Sequence, residues 1–316
     1  MNYQVSDFDE WSGHSPGTDD DPRLGDYVSF SPGGHQEILI AMAGFPVDDG
    51  VRTNGGRVGA AHAPDDIRKI LYRMTPDGRR STEHVHVLQR TLDVGNLRAG
   101  RSLVEKQESL GQFVRDCLLA GVLPVILGGG HETAYGHFLG YMEADRSVNI
   151  LNLDAHADVR PLVRGKGHSG SPFRQALDHP SGKCLSYSVA GLQPGRNASA
   201  HLAFLAKRSA RVYWVDDTTE PMIERLMVPA NEAGPVMLSL DMDVVDQSYA
   251  PGVSAPTVGG IEQRLLIDLA LTAGATPSVT SVDLVEVNPM VDEGGRTIRL
   301  AAHVIWSFLL GFAERT

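Results

Sequence analysis

Cysteine is nearly missing from this chain. Two occur in 316 residues, Cys117 and Cys184, and neither belongs to a Cys-x-x-Cys pair or a zinc-ligand spacing. That argues against a disulfide scaffold or a thiolate zinc site and suits free thiols in a reducing compartment. Long apolar runs are lacking too. The stretch "VIWSFLLGF" near the C-terminal end is far below the ~20 residues that a membrane span needs. Positive charge is short: 28 Lys and Arg face 39 Asp and Glu, a net charge of −11. That balance disfavours a nucleic-acid groove or an anionic membrane surface as partner. The first residues carry neither the basic stretch nor the apolar segment of a secretion signal, so a cytoplasmic location is expected. No Lys-Ser or Lys-Thr pair follows "GGGH" at 128–131, which excludes a phosphate-binding P-loop.

What is present is ordinary for a globular protein, with 42% hydrophobic and 21% charged residues. Residues 1–35 are rich in Asp, Gly, Ser and Pro and predict a polar N-terminal arm, poor in core-forming residues. Residues 36–316 predict one catalytic domain. Apolar runs at 37–46, 123–131, 147–154, 185–191, 211–216, 236–243 and 279–287 predict strands. Helical patterns fall at 63–74, 103–121, from 132, and at 199–208, 219–228, 261–273 and 297–312. Strands apolar on both faces, alternating with helices, predict a doubly wound α/β fold with a mainly parallel sheet covered on both sides.

In such folds ligands bind beyond the carboxyl ends of the strands. The polar clusters of this sequence fall there: "GGGHE", "DAHAD", "DMD" and "EVNP". In "NILNLDAHADVR" (149–160), Asp154, His156, Asp158 and Arg160 are each one residue apart. If the extended geometry persisted past Leu153, all four would share a face. The candidate metal ligands are His131, Asp154, His156, Asp158, Asp241 and Asp243. Four carboxylates, two imidazoles and no thiolate suit Mn²⁺ or a similar divalent ion. Six ligands exceed what one ion with an open water position needs and fit two ions sharing carboxylates. Taken singly, each motif has another explanation: a solvated strand end, or a phosphate-cradling turn for "GGGH". Together, at successive strand ends, they point to a metal site.

These motifs resemble the ureohydrolase (arginase–agmatinase) family. "GGGHE", "NLDAHADVR" and "SLDMDVVDQSYAPGVSAP" match its metal motifs in order, and "EVNP" matches a fourth element. The resemblance spans about residues 37–312. It implies a three-layer α/β/α fold, two Mn²⁺ per chain and hydrolytic C–N cleavage at an amidine or guanidine carbon. It also implies that His131 and Asp158 bind one ion, His156 and Asp243 the other, with Asp154 and Asp241 bridging. His156, Asp158 and Glu286 then form the catalytic set. Glu286 would pair with the substrate amidinium, unless it is a structural strand-end carboxylate. By family analogy the chain is a homo-oligomer, a trimer or hexamer.

The branch of the family is indicated by departures. Arginases and agmatinases carry a His proton shuttle where this chain, aligned on Gly170, has Ser169. His168, one residue away, is an alternative shuttle. "SGSPFRQ" (169–175), "GFPVDDGVRTNGGRVGAAHAPDDIRKIL" (44–71), "GGGHETAYGH" (128–137) and "VAGLQPGRNAS" (189–199) resemble the formimidoylglutamase branch instead. The implied substrate is a small amidino acid, N-formimidoyl-L-glutamate, cleaved to L-glutamate and formamide. Two substrate carboxylates near an aspartate-rich centre call for cations. Arg160 and Arg174 are the candidates, since guanidinium forks carboxylates, although either is also readable as a surface or salt-bridge arginine. Ser169, Gln193 and Asn197 are further candidate substrate contacts. The competing expectations are a related enzyme acting on a guanidino acid, arginine or agmatine, and a metal-binding regulatory pseudoenzyme.

Overall fold

In the computed structural model the chain is described at residues 8–9, 11, 13, 16–31, 37–98, 100–218 and 234–315. The expected helix at 219–228 lies outside those residues. Among the described residues nine strands form one sheet: β1 Phe8–Asp9, β2 Ile40–Phe45, β3 Thr91–Leu97, β4 Leu123–Gly128, β5 Val148–Leu153, β6 Cys184–Leu192, β7 Arg211–Trp214, β8 Val236–Asp241 and β9 Val279–Val285. Their order is β1-β3-β2-β4-β9-β8-β5-β6-β7. Every neighbouring pair is parallel except the short antiparallel β1–β3 edge.

The helices are α1 Asp49–Thr53, α2 Ala63–Leu71, α3 Ser81–Leu88, α4 Leu103–Leu119, α5 Thr133–Glu143, α6 Pro172–Leu177, α7 Ser199–Lys207, α8 Gln263–Ala275 and α9 Arg296–Phe312. The central strands are buried on both faces because alternate residues feed two separate cores. Val125, Leu127, Leu238, Leu240, Val282 and Leu284 pack with α2, α8 and α9. Ile126, Ile150 and Val189 pack with Leu110 and Val114 of α4, Phe138 of α5 and Phe173 of α6. The result is the expected three-layer α/β/α arrangement. Helix α4 starts where Ser102 and Glu105 form a reciprocal capping box and is followed by Gly121 at φ +72°, a left-handed stop.

The sequence pattern locates most of the strands and helices but not all. Strands β1 and β3 and helices α1, α3 and α6 are additions. The N-terminal arm is less polar in its packing than expected, since Leu24 and Val28 join the first core and Trp11 and Phe30 pack on Tyr72. The segment Arg296–Arg315 is long and apolar enough to cross a membrane by composition, but 67% of its most apolar stretch of 18 residues is buried inside the protein. It is the core helix that closes one face of the sheet.

The topology explains where a site can form. From β4 the chain crosses to β5, and β9 and β8 later fill the gap between them. Strands β4, β9, β8 and β5 are thus four consecutive neighbours. Their carboxyl ends carry the four polar motifs.

Candidate metal centre

Each motif is positioned by the turn beyond its strand. After β4 the chain bends through Gly128, Gly129 and Gly130. A Cβ on Gly129 would run into the Val47 carbonyl, and one on Gly130 into the Glu132 carboxyl. The glycines therefore serve close packing that sets down His131, and no phosphate cradle is needed to explain them. After β5 the extended alternation does not persist. Asp158 adopts φ +45°, so the expected shared strand face is replaced by a turn. That turn is held by Asn197, which accepts from Ala157 N at 2.8 Å and donates to Ala155 O at 3.0 Å. Tyr187 donates to Ala157 O at 3.0 Å. Glu286, after β9, also sits at a positive φ, +65°. Two carboxylates in the left-handed region at the same cavity mark local strain of the kind found at functional sites.

The turn brings together what an extended strand could not. His131 Nδ1 lies 3.2 Å from Asp154, 3.0 Å from Asp158 and 2.9 Å from Asp241. His156 Nδ1 lies 3.0 Å from Asp243 and 3.5 Å from Asp154. Two ligand groups result: His131 with Asp154, Asp158 and Asp241, and His156 with Asp154 and Asp243. Asp154 belongs to both. Asp241, expected to bridge as well, falls in the first alone; its Oδ1 accepts from Asp243 N at 2.8 Å.

The electrostatics are those of a centre that wants a cation. Asp154 is fully buried and Asp241 2% exposed. Burial and the neighbouring Asp243 and Asp154 carboxylates push Asp241 well above the ordinary carboxylate range. Asp158 is raised by burial and by Asp154. Burial works against a charged His156, yet Asp243 and Asp154 outweigh it and raise the imidazole to about 12. His131 is raised in the same way, burial opposing and Asp154, Asp158 and Asp241 prevailing. Without a metal, protons on the histidines and carboxylates stand in for the missing positive charge. His131 Nδ1 is buried yet makes no hydrogen bond, although three carboxylates surround it. An imidazole lone pair amid carboxylate oxygens, with no sulfur, is a donor set for a manganese-like divalent ion.

A cavity of about 270 Å³ opens onto this cluster. Its floor is His156, Asp158, Asp241, Asp243 and Glu286; its rim includes Asn54, Arg57, Arg160, Ser169 and Ser254. Glu286 Oε1 accepts from His131 N at 2.8 Å. Burial and the nearby Glu132 raise its carboxyl to about 8. Arg160 donates to Asn54 Oδ1 at 3.1 Å, and Asn54 donates to Ser169 Oγ at 3.1 Å. Arg57 donates to the Ser254 carbonyl at 3.1 Å.

Other expected contacts are placed elsewhere. Arg174 donates to Val159 O at 3.1 Å and stacks on Phe204, 4.3 Å from its centroid. Gln193 donates to Gly259 O at 2.8 Å. Asn197 is occupied by the loop it holds. None of these three is among the residues lining the cavity; they brace the turns around it. His168 is 1% exposed, lies 3.0 Å from Pro161 O, and accepts from Gly170 N at 3.1 Å. It closes the 161–170 loop and is not turned toward the cavity. The "SPFRQ" motif contributes Phe173 instead: its ring packs edge-on against His131 at 5.1 Å and stacks on Tyr187 at 4.7 Å. Asn54 and Arg57 lie within the 44–71 stretch that resembles the formimidoylglutamase branch, but nothing in "TNGGR" marks either as a site residue, and only the fold carries them across to Arg160 and Ser254.

Comparison with known proteins agrees with this geometry. The Arginase family model matches residues 39–311. A formimidoylglutamase of Geobacillus sp. (strain WCH70) is 35% identical, with 99% of this chain and 98% of that protein covered. One of Nocardia farcinica is 36% identical over 93% and 94%. The crystal structure of Trypanosoma cruzi formiminoglutamase with Mn²⁺ superposes with a TM-score of 0.85 at 30% identity, covering 94% of this chain and all of that one. Formimidoylglutamase from Bacillus subtilis gives 0.84 at 25% identity, covering 97% and 96%. The shared fold, the extent of the match and the strand-end ligands lead to one conclusion: this chain belongs to the arginase family.

Proposed function

We propose that the protein hydrolyses N-formimidoyl-L-glutamate to L-glutamate and formamide, with two Mn²⁺ per chain held by His131, Asp154, Asp158, Asp241, His156 and Asp243. The observation that carries the choice of substrate is the polarity of the cavity. Its floor is carboxylate and imidazole, and its rim bears the guanidiniums of Arg57 and Arg160. A ligand with a cationic amidine at one end and carboxylates at the other matches that gradient. Agmatine would bring a second cation to the arginine rim. Relatives named formimidoylglutamase support the same choice.

A divalent pair in this ligand set supplies a hydrolytic nucleophile at neutral pH. The chain's own residues do the rest. Glu286 is held by the His131 N–H and opens into the cavity. A cationic amidinium beside it returns the carboxyl to its ionised form and fixes the reacting carbon over the ligands. Arg160, oriented through Asn54, takes a substrate carboxylate, and Ser169 lines the same wall. The catalytic unit is residues 36–316 with 1–35 as an arm. The enzyme acts in the cytoplasm and, by family analogy, as a homo-oligomer.

The test is a substrate panel. Mn²⁺-loaded protein is supplied with formimidoylglutamate, arginine, agmatine and guanidinobutyrate. Glutamate release from the first is expected to exceed urea release from any other. Faster urea release from a guanidine overturns the substrate, and no turnover of any of them favours a regulatory pseudoenzyme.

A further inference from the structure

A buried polar chain leaves the metal cluster and runs between the sheet and α5. It begins at His131 Nε2, 3.0 Å from Ser239 Oγ on β8. Ser239 donates to Asp283 Oδ1, on β9, at 2.6 Å. Asp283 Oδ2 lies 2.6 Å from His137 Nδ1. His137 Nε2 lies 2.6 Å from Ser281 Oγ, which is 2.6 Å from Tyr141 OH, itself 2.7 Å from Thr280 Oγ1. His137 and Tyr141 stand one turn apart on α5, and Ser281 and Asp283 alternate on one face of β9. Ser239, Asp283, His137, Ser281 and Tyr141 are all fully buried.

Burial makes the direction of each bond a matter of donor and acceptor inventory. A carboxylate only accepts. Ser239 has one proton and gives it to Asp283, so its oxygen can only accept from His131. A His131 proton therefore sits on Nε2, which leaves Nδ1 as the nitrogen that faces Asp154, Asp158 and Asp241 and that a metal would take in exchange for a proton. His137 secures the other oxygen of Asp283. With its Nδ1–H given to Asp283, its Nε2 accepts from Ser281, which in turn accepts from Tyr141. From His131 on one side and Tyr141 on the other, the protons point toward Asp283.

We infer that His137 and Asp283 are positioning residues for His131: acting through Ser239, they hold its ring in the tautomer that presents Nδ1 to a metal, and so set the affinity of that site. Neither residue touches the cavity. The inference rests on the cluster being a metal centre. A buried His–Asp pair that merely stabilised the fold would affect melting and leave metal affinity alone.

The two roles separate by titrating Mn²⁺ into chelator-stripped full-length protein, followed by calorimetry and by electron paramagnetic resonance. Asp283→Asn keeps the shape. With its amide oxygen facing His137, its NH₂ faces Ser239, whose hydroxyl must then turn to His131 and force the proton onto Nδ1. One of two Mn²⁺ sites is expected to weaken by roughly 10–100-fold, with the His156 site retained and the stripped protein still melting cooperatively. His137→Ala should weaken the same site, and His137→Asn, whose amide can replace the Nδ1–H, should recover most of the loss. Wild-type affinity at both sites in Asp283→Asn and His137→Ala overturns the inference, as does an affinity loss in His137→Ala that His137→Asn does not relieve. If either variant fails to fold, Ser239→Ala decides: unchanged affinity there overturns it too. Wild-type protein that binds no Mn²⁺ overturns the metal-centre proposal itself, a separate outcome.

Discussion

Two buried charge clusters among the described residues, on different strands of one sheet, bear comparison. In the first, Arg68 of α2 forks Asp93 of β3 at 2.7 and 2.9 Å and donates to Asn96 at 2.6 Å and Gly95 O at 2.9 Å. Tyr72 adds a hydrogen bond to the same carboxylate. One cation meets one buried anion, with the half-exposed Asp65 a further 3.6 Å contact, and the guanidinium is fully engaged. In the second, His131 and His156 face four aspartates, one buried nitrogen has no hydrogen-bond partner, and protons are held far above their usual range. Both clusters bear the cost of desolvation. The difference is closure: a structural charge cluster completes itself, whereas a binding cluster leaves charge and a donor atom for something else.

That contrast can be broken by experiment. The largest effect is expected from Asp241→Asn. Loss of a ligand should lower hydrolysis by at least about a thousandfold, since a metal-activated nucleophile is worth several kcal/mol and each 1.4 kcal/mol is about tenfold. The metal-free protein should melt no lower than wild type, because burial already disfavours this carboxylate. A large drop in metal-free melting temperature would show that Asp241 is structural. Arg68→Ala should do the reverse. Leaving Asp93 buried and unpaired is expected to cost about 3–5 kcal/mol in urea unfolding, while activity per folded molecule survives.

Arg160→Ala sharpens the contrast within the arginines. KM should rise by about 10–100-fold, the loss of one good charge-assisted contact, with metal content still two ions per chain. Loss of metal in that variant would move Arg160 from the substrate to the metal site. Arg174→Ala, by comparison, should leave KM unchanged and cost at most about 1 kcal/mol, as exposed pairs do.

The pH dependence is a subtler check. Glu132 and Glu286 are raised to about 8, mainly by burial, and His156 to about 12 by Asp243 and Asp154. Between pH 5 and 8 these groups hold more protons in the folded metal-free chain than in the unfolded one, and they outnumber the fully buried His84, which burial lowers to about 4 and which acts the other way, so stability falls as pH rises. Metal would displace the protons on His156 and the other ligands, His131, Asp158 and Asp241, and its affinity rises with pH. The gap in melting temperature between Mn²⁺-loaded and stripped protein should widen from pH 5 to pH 8. A gap that narrows contradicts the proton-for-metal exchange.

The same comparison explains which features are legible in the chain alone. Strands such as "LPVILGG" and "NILNL" announce themselves because both faces are apolar. Strand β3 escapes the pattern because "TLDVGNL" carries Asp, Gly and Asn, which look like a turn until Arg68 is brought over to neutralise them. The metal ligands are legible because they cluster at strand ends with short spacings. Arg174, Gln193 and Asn197 share a motif neighbourhood with the site but are held by Val159, Gly259 and Ala155, and no spacing along the chain encodes that. Asn54 and Arg57 are more than 100 residues from Arg160 in the chain, and only the loop after β2 delivers them.

By itself the sequence determined the layered α/β class and singled out six candidate ligands, because hydrophobic period and ligand chemistry are local properties. The tertiary structure decided the rest. It bent Asp158 out of the strand alternation, so that "DAHADVR" divides its side chains between two ligand groups and a rim arginine. It also paired His131 with Ser239, Asp283 and His137 from three different elements. Such couplings depend on which strands become neighbours, and the crossing from β4 to β5 is what made these four meet.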